Sequence, residues 1–398
     1  MSRLLCFGDL HLGAGAEYGA KPGDRLDDQA MVLNRILEIA VEREVDGILV
    51  AGDIFEGPQI TPEQFHTFAC FTDEADEYDI PILGVVGNGK HDAAMRSVNG
   101  LELFNHLSGI AIRSYPTWDW FADCAVVSLP WVSPAKLVAE RGRTVSRDEI
   151  NAETGPLLVE VADDLYRTVR AVTAGRGGAH PIILLLHWSL SGASLPTGLP
   201  VDLLREPVIP TEELQRIGYD YIVAGHIHKA QQVGDDGFYV GSPLPLNFGE
   251  AGGGHGVWIL DTDEREIVDA KGAEFVPIAS RPFVTHDLDL TTDAGIFALS
   301  SLPPVPDGAI VRVRYRATRE QAAGFDTGDW RRQLLDEGAA VVKIQPDIVR
   351  ATRARVEGLD EHVDDGDAFS AWLDGQDLDP ATRTVLLERA GAFIGGAA

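Results

Sequence analysis

Short, almost wholly apolar runs alternate with amphipathic stretches along the first part of this chain. Arg3–Gly8, Gly47–Ala51 and Ile80–Val86 are each of strand length and read as strands buried on both faces. Between the first two, Met31, Val32, Ile36, Ile39 and Ala40 recur at a helical period, with Asp27 or Asp28 expected as the cap. Thr61-Pro62-Glu63 opens the next helix, threonine capping and proline at the first position. This alternation predicts an α/β unit with mainly parallel strands. Cys124–Leu129, Pro181–Leu186, Tyr221–Ala224 and Gly256–Asp261 add strands, and Gly225 is expected to let the backbone turn tightly as it leaves the sheet. Ser146–Ala174 reads as helical with an interruption near Gly155-Pro156, and Thr211–Ile217 as a short helix. Gln231–Val233 and Phe238–Val240 flank an Asp235-Asp236-Gly237 turn and predict a hairpin.

Near Pro277 the pattern changes. Arg281–Leu290 and Ile310–Tyr315 alternate, Ala340–Ile344 is apolar, and Trp330–Leu335 suits a helix between them. From Pro346 onward the spacing is helical, with Phe369, Trp372 and Leu373 forming one apolar stripe. The expected division is 1–275, a small α/β unit at 276–345, and a helical tail at 346–398.

A length of 398 residues with 45% hydrophobic content accommodates two or more domains. Leu4–Phe7 is a strand-length run leading straight into Asp9, unlike a signal peptide, and the longest apolar run, Ile182–Leu186, is far below the ~20 residues of a membrane helix. Cys6, Cys70 and Cys124 sit in apolar patterns and read as buried, reduced thiols of a cytoplasmic protein that engages no membrane. The net charge of −29 argues against a uniformly basic nucleic-acid surface. It leaves a nucleic-acid substrate open, because bound cations can invert the field at a site.

Polar residues collect where strands end: Asp9 and His11, Asp53, Asn88, His187, then His226 and His228. In parallel α/β sheets functional groups gather beyond these carboxyl ends. Singly, an aspartate there is more often a helix cap and a histidine a turn residue. Jointly, five strand ends carrying such residues point to a metal site. Carboxylate, amide and imidazole suit Mn²⁺, Fe²⁺ or Zn²⁺ better than Ca²⁺. Seven ligands are too many for one tetrahedral ion and about right for two ions sharing a carboxylate, an arrangement suited to in-line displacement at phosphorus.

Asp9-x-His11, Gly52-Asp53-x-x-Glu56, Gly87-Asn88…His91-Asp92, His187 and Gly225-His226-x-His228 resemble, in order, the signatures of the calcineurin-like metallophosphoesterases. Asp220-Tyr221-x-x-x-Gly225-His226-Ile227-His228-Lys229, and Gly241-Ser242-Pro243 followed by Phe248-Gly249-Glu250, are similar to the SbcD-type branch of DNA repair nuclease subunits. The resemblance covers roughly residues 1 to 270. It implies a two-sheet sandwich flanked by helices, a small α/β capping domain and a helical C-terminal tail. It also implies that Asp9, His11, Asp53 and His228 hold one divalent ion and Asp53, Asn88, His187 and His226 a second, Mn²⁺ being preferred over Fe²⁺, Zn²⁺ or Mg²⁺. His91 would stand by the scissile phosphate, as transition-state stabiliser or proton donor to the leaving oxygen. The implied activity is nicking, or 3′-to-5′ degradation, of DNA ends in DNA repair or recombination. An SbcC-type, SMC-like coiled-coil ATPase is the implied partner, and a homodimer the implied assembly.

One departure from the family pattern stands out. Gly89-Lys90 is inserted between Asn88 and His91, which the family keeps adjacent. A tolerated bulge is favoured, because all seven ligand positions remain. Lys90 taking over the histidine's electrostatic part, or weakened catalysis, are the alternatives. Two other functions stay open: a phosphatase or phosphodiesterase acting on other esters, and a metal-bound scaffold.

Overall fold

The computed structural model describes residues 2–19, 24–92, 100–140, 146–176, 180–263, 270–292, 304–324, 326–349, 365–376 and 378–394. In chain order the first elements are β1 (Arg3–Phe7), α1 (Asp24–Glu42), β2 (Gly47–Val50), α2 (Pro62–Glu77), β3 (Ile82–Val85) and β4 (Ile110–Arg113). Next come β5 (Thr117–Phe121), β6 (Cys124–Leu129), α3 (Pro134–Glu140), α4 (Arg147–Ala174), β7 (Ile182–His187), β8 (Ser189–Leu190) and β9 (Val208–Ile209). They are followed by α5 (Thr211–Ile217), β10 (Tyr221–Gly225), β11 (Gln231–Val233), β12 (Gly237–Tyr239), β13 (Gly256–Asp261) and β14 (Ala273–Pro277). The last are β15 (Phe283–Asp289), β16 (Ile310–Thr318), α6 (Arg319–Gly324), α7 (Thr327–Asp336), β17 (Val341–Val349), α8 (Asp365–Asp374) and α9 (Pro380–Ile394).

Two six-stranded sheets, ordered β14-β13-β1-β2-β3-β4 and β11-β12-β10-β7-β6-β5, pack face to face. Alternation along each strand explains why these strands read as apolar throughout. Leu4 and Cys6 of β1 and Leu49 of β2 face Val126, Ile183, Leu185 and Val223 of the other sheet. Leu5, Phe7, Ile48 and Val50 turn outward onto Val32, Ile36, Phe68 and Phe71 of α1 and α2. On the opposite side Val127, Leu184, Leu186 and Ile222 meet Leu158, Ala162 and Leu214 of α4 and α5. Both faces of both sheets are therefore covered, the expected two-sheet sandwich flanked by helices.

Parallel pairing sets the strand ends level. Cys6 and Phe7 lie opposite Leu49 and Val50, and Gly225 opposite His187. Strands β1-β2-β3-β4 and β6-β7-β10-β12 are parallel; antiparallel strands β14, β11 and β5 close three of the four edges, and parallel β4 closes the other.

Several local expectations differ from the structure. Helix α1 starts at Asp24, so Asp28 is no cap: it is buried and accepts from both Arg25 and Arg281. Helix α4 runs unbroken through Pro156, because the capping box of Ser146 with Glu149 and the burial of Leu158, Ala162 and Val169 outweigh one missing backbone donor. Cys6 and Cys124 are buried, which pushes both thiols up, whereas Cys70 is exposed on α2. Strand β17 continues through Pro346 to Val349, where a helix was expected; the expected helix over 350–364 lies outside the described residues.

Contacts divide the chain into two units. One comprises 1–286, 303–313 and 327–344 and contains both six-stranded sheets; the other comprises 287–302, 314–326 and 345–398. Within the latter, α8 packs on α9: Leu373 is buried, and Trp372, stacked on Phe369 at 5.7 Å, is 46% exposed. No helix among the described residues is long and apolar enough to cross a membrane.

Candidate metal centre

Asp53 is the hub. The chain beyond β2 stays bonded to the chain beyond β1, with His11 N–H donating to Asp53 O (3.0 Å) and Asp9 N–H to Gly52 O (2.9 Å). The Asn88 main-chain N–H reaches Asp53 Oδ1 at 2.9 Å and its side-chain amide reaches Oδ2 at 3.0 Å. His187 Nε2 lies 3.3 Å, and His11 Nε2 3.6 Å, from the same Oδ2. Such approach needs bare backbone nearby. A Cβ on Gly87 would fall 1.9 Å from Asp53 Oδ1, and one on Gly225 2.0 Å from Ala51 O. Close approach, rather than a turn with positive φ, is thus what Gly225 supplies.

The other residues close around this hub. His226 N–H donates to both carboxylate oxygens of Asp9, at 2.9 and 3.1 Å. His11 Nε2 and His228 Nε2 face each other at 3.1 Å. Among the described residues, three groups have ligand atoms within 4.8 Å of one another: Asp9–His11–His228, His11–Asp53–His91, and Asp53–His187–His226. All eight residues singled out in the sequence, Asp9, His11, Asp53, Asn88, His91, His187, His226 and His228, therefore meet in one place. Four of them hold the backbone at positive φ: Asp9 (50°), His11 (49°), Asp53 (48°) and His226 (94°).

The inserted pair forms a turn. His91 N–H donates to Asn88 O at 3.0 Å and Lys90 N–H to Asn88 Oδ1 at 2.9 Å, so the extra residues loop outward. Lys90 is exposed, while the His91 ring stands perpendicular to that of His11 at 4.4 Å, its Nδ1 donating to Glu56 O at 2.6 Å.

Carboxylates that sequence reasoning gave no part hold the rings. His11 Nδ1 bonds Glu56 at 3.0 Å, His228 Nδ1 bonds Glu250 at 3.1 Å, and His226 Nε2 bonds Glu206 at 2.8 Å. His187 Nδ1 donates to Ala51 O at 2.6 Å. Asp92 is buried and accepts N–H from Ile54, Phe55 and Gly87, tying the loops after β2 and β3 together. Gln29 of α1 clasps the first loop, accepting from Gly13 N–H and donating to His11 O. Glu56, Asp92 and Glu250 lie inside recognisable motifs; Glu206 and Gln29 carry no sequence signal.

The donor set fits a cation. With Nδ1 of His11 and of His228 each committed to a carboxylate, the two Nε2 atoms face one another across 3.1 Å, an approach that needs a proton or a cation between them. The buried Nε2 of His187 faces the Asp53 carboxylate at 3.3 Å. A cation held among these nitrogens and the Asp53 carboxylate would take the place of those protons. Burial opposes charge on Asp53, yet the His187, His11 and His91 imidazoles hold its carboxyl well below the usual range. Against the same burial, Asp53 raises His187 to about 9, and Glu250 with Asp9 raises His228 to about 9. Burial, then the Asp53 charge, push Asp92 up, while its three N–H donors pull the other way. The centre opens into a pocket of about 350 Å³ whose lining includes His91, Tyr18 and Asn247.

Residues 2–230 match the family described as calcineurin-like phosphoesterase, whose members use divalent metals. The SbcD subunit of the nuclease SbcCD from Bacillus subtilis (strain 168) is 24% identical over 297 residues, covering 71% of this chain and 71% of its own. Its namesake in Escherichia coli (strain K12) is 25% identical over 264 residues, 63% of this chain and 62% of its own. The DNA double-strand break repair protein Mre11 of Nanoarchaeum equitans (strain Kin4-M) is 22% identical over 362 residues, 85% of this chain and 83% of its own.

Proposed function

This chain belongs to the calcineurin-like phosphoesterase family, and from that premise we propose that it is a two-metal DNA phosphodiesterase working with an SMC-like ATPase in DNA repair. The convergence of five strand ends on one carboxylate, Asp53, carries the two-ion reading. Asp9, His11, Asp53 and His228 would hold one ion and Asp53, Asn88, His187 and His226 the other, with Mn²⁺ the expected metal at both. Bound divalent ions supply Lewis acidity and charge neutralisation for displacement at phosphorus. They also supply the attraction for a polyanion that a chain of net charge −29 otherwise lacks.

The protein's own groups orient and exchange protons. His91 Nδ1 is engaged with Glu56 O, which leaves Nε2 as the atom that can stabilise or protonate the leaving oxygen. Of the readings of the split signature, the outward turn at Gly89-Lys90 favours the bulge. DNA as substrate and the ATPase as partner are supported by the names of the relatives and by the Gly241-Ser242-Pro243 and Phe248-Gly249-Glu250 segments. On α8, the stacked Phe369–Trp372 pair is the surface proposed for the partner; Leu373, expected in the same stripe, is turned inward.

The test is cleavage of linear and hairpin DNA with Mn²⁺, comparing wild type with Asp53→Asn and measuring bound metal by elemental analysis. The variant is expected to lose cleavage and occupancy of both sites. Full double occupancy in Asp53→Asn, or wild type that binds two ions and cleaves no DNA, would overturn the assignment.

A further inference from the structure

Glu206 belongs to no motif and to no regular element, lying between a 3-10 turn (Val201–Leu203) and β9. We propose that Glu206 is a positioning residue that fixes the tautomer and direction of His226, and thereby selects Nδ1 as the atom this histidine turns toward the Asp53–His187 cluster. The inference rests on the metal-centre reading above.

His226 Nε2 lies 2.8 Å from Glu206 Oε1, and the same oxygen accepts from Ser189 Oγ at 2.5 Å. Ser189 is 1% exposed. An ionised carboxylate only accepts, so Nε2 carries the proton and Nδ1 keeps the lone pair. Parallel pairing of β8 with β9, Ser189 opposite Val208, is what returns Glu206 to the end of β7. Asp9 fixes the main chain of His226 and Glu206 its ring, so both ends of the residue are set by acids from distant segments. The arrangement is opposite in sense to that at His11 and His228, where Glu56 and Glu250 occupy Nδ1 and leave Nε2 facing inward. Glu206 thus makes His226 the one histidine of these three that offers Nδ1. Without an acceptor there, neither tautomer nor ring orientation is specified.

Full-length chelator-treated protein with isotope-labelled histidine reports the His226 tautomer by nitrogen NMR, and titration with Mn²⁺ alone, followed by EPR, reports stoichiometry and affinity. Wild type should show Nε2–H at His226 and two Mn²⁺ sites. E206A should lose that preference and weaken one site by about 10–100-fold, the usual scale for removing a group that orients a ligand. E206Q, whose amide oxygen can accept the same two hydrogen bonds, should restore the tautomer and most of the affinity. Two wild-type-affinity sites in E206A would overturn the proposal, as would weakened binding with the His226 tautomer unchanged. Wild type binding fewer than two Mn²⁺ would defeat the two-ion reading by itself, and the His226 spectrum of E206A would then decide the part of Glu206.

Discussion

Replacing Asp92 with alanine isolates the tie between the loops after β2 and β3, since Asp92 is proposed as no metal ligand. The carboxylate is 3% exposed and accepts from Ile54 N–H at 3.0 Å, Phe55 N–H at 2.9 Å and Gly87 N–H at 3.1 Å. Two effects of opposite sign follow its removal. Relief of the burial penalty and of repulsion with Asp53 favours the variant, and three stranded donors oppose it. A buried N–H left without an acceptor costs about 1–3 kcal/mol, so even at the low end, with water entering the vacated space, the loss is about 3 kcal/mol. At ~2–4 °C per kcal/mol for a domain of about 250 residues, the unfolding midpoint should fall by roughly 6–12 °C. Circular dichroism melts of chelator-treated protein measure this without stabilisation by metal. Asp92→Asn keeps one acceptor oxygen but turns an NH₂ toward a donor, and should fall between wild type and alanine. Because the freed donors flank Asp53 and Asn88, Mn²⁺ affinity should drop as well. An Asp92→Ala midpoint within about a degree of wild type would refute the reasoning, since relief of repulsion would then match the cost of three lost acceptors.

His91→Ala should retain both metals yet lose about 10²–10⁴-fold in cleavage rate, whereas exposed Lys90→Ala should lose less, and less still as salt is added. Single-turnover kinetics at two salt concentrations would expose an inverted ranking, which would give Lys90 the leading part. His187 and His228, raised from 6.5 to about 9, add stability to the metal-free protein that is complete below pH 6.5 and lost as pH rises through about 9. If His187 and His228 are ligands as proposed, bound Mn²⁺ displaces those protons, so affinity should rise over the same window; calorimetry in buffers of different ionisation heat would contradict this if no proton were released. Deleting 350–398 leaves β17 whole and should preserve Mn²⁺ stoichiometry while abolishing association with the proposed ATPase partner, and undiminished co-purification would refute the docking surface proposed on α8.

The centre was legible because parallel strands place their ends on one edge, so Asp9, Asp53, Asn88, His187 and His226 could be gathered from apolar runs alone. The groups around them were not. Glu206 sits in a surface-like Leu-Arg-Glu-Pro stretch, and only the pairing of β8 with β9 brings it to His226. Gln29 looks like any polar residue of an amphipathic helix until its amide is seen bonded to Gly13 and His11. Proline misled twice: Pro156 is carried inside α4 by tertiary burial, and Pro346 lies in the outer, exposed half of β17, where a missing donor is tolerated. His255, given no part, bridges the carbonyls of Ser242 and Glu250 and so braces the loop behind His228.

The left-handed backbone at Asp9, His11, Asp53 and His226 has a consequence for how this protein can change. Residues with a Cβ tolerate that region at a cost on the order of 1–3 kcal/mol each when poorly suited to it, and glycine relieves the cost. Thermal selection carried out in the presence of a chelator would therefore reward glycine at His226 first, where φ is 94°, and erase the donor that His226 offers. Selection with Mn²⁺ present would oppose the same substitution, because binding to the folded state alone offsets the strain. The direction in which stabilising variants drift, toward or away from the centre, would then depend on the ion content of the medium.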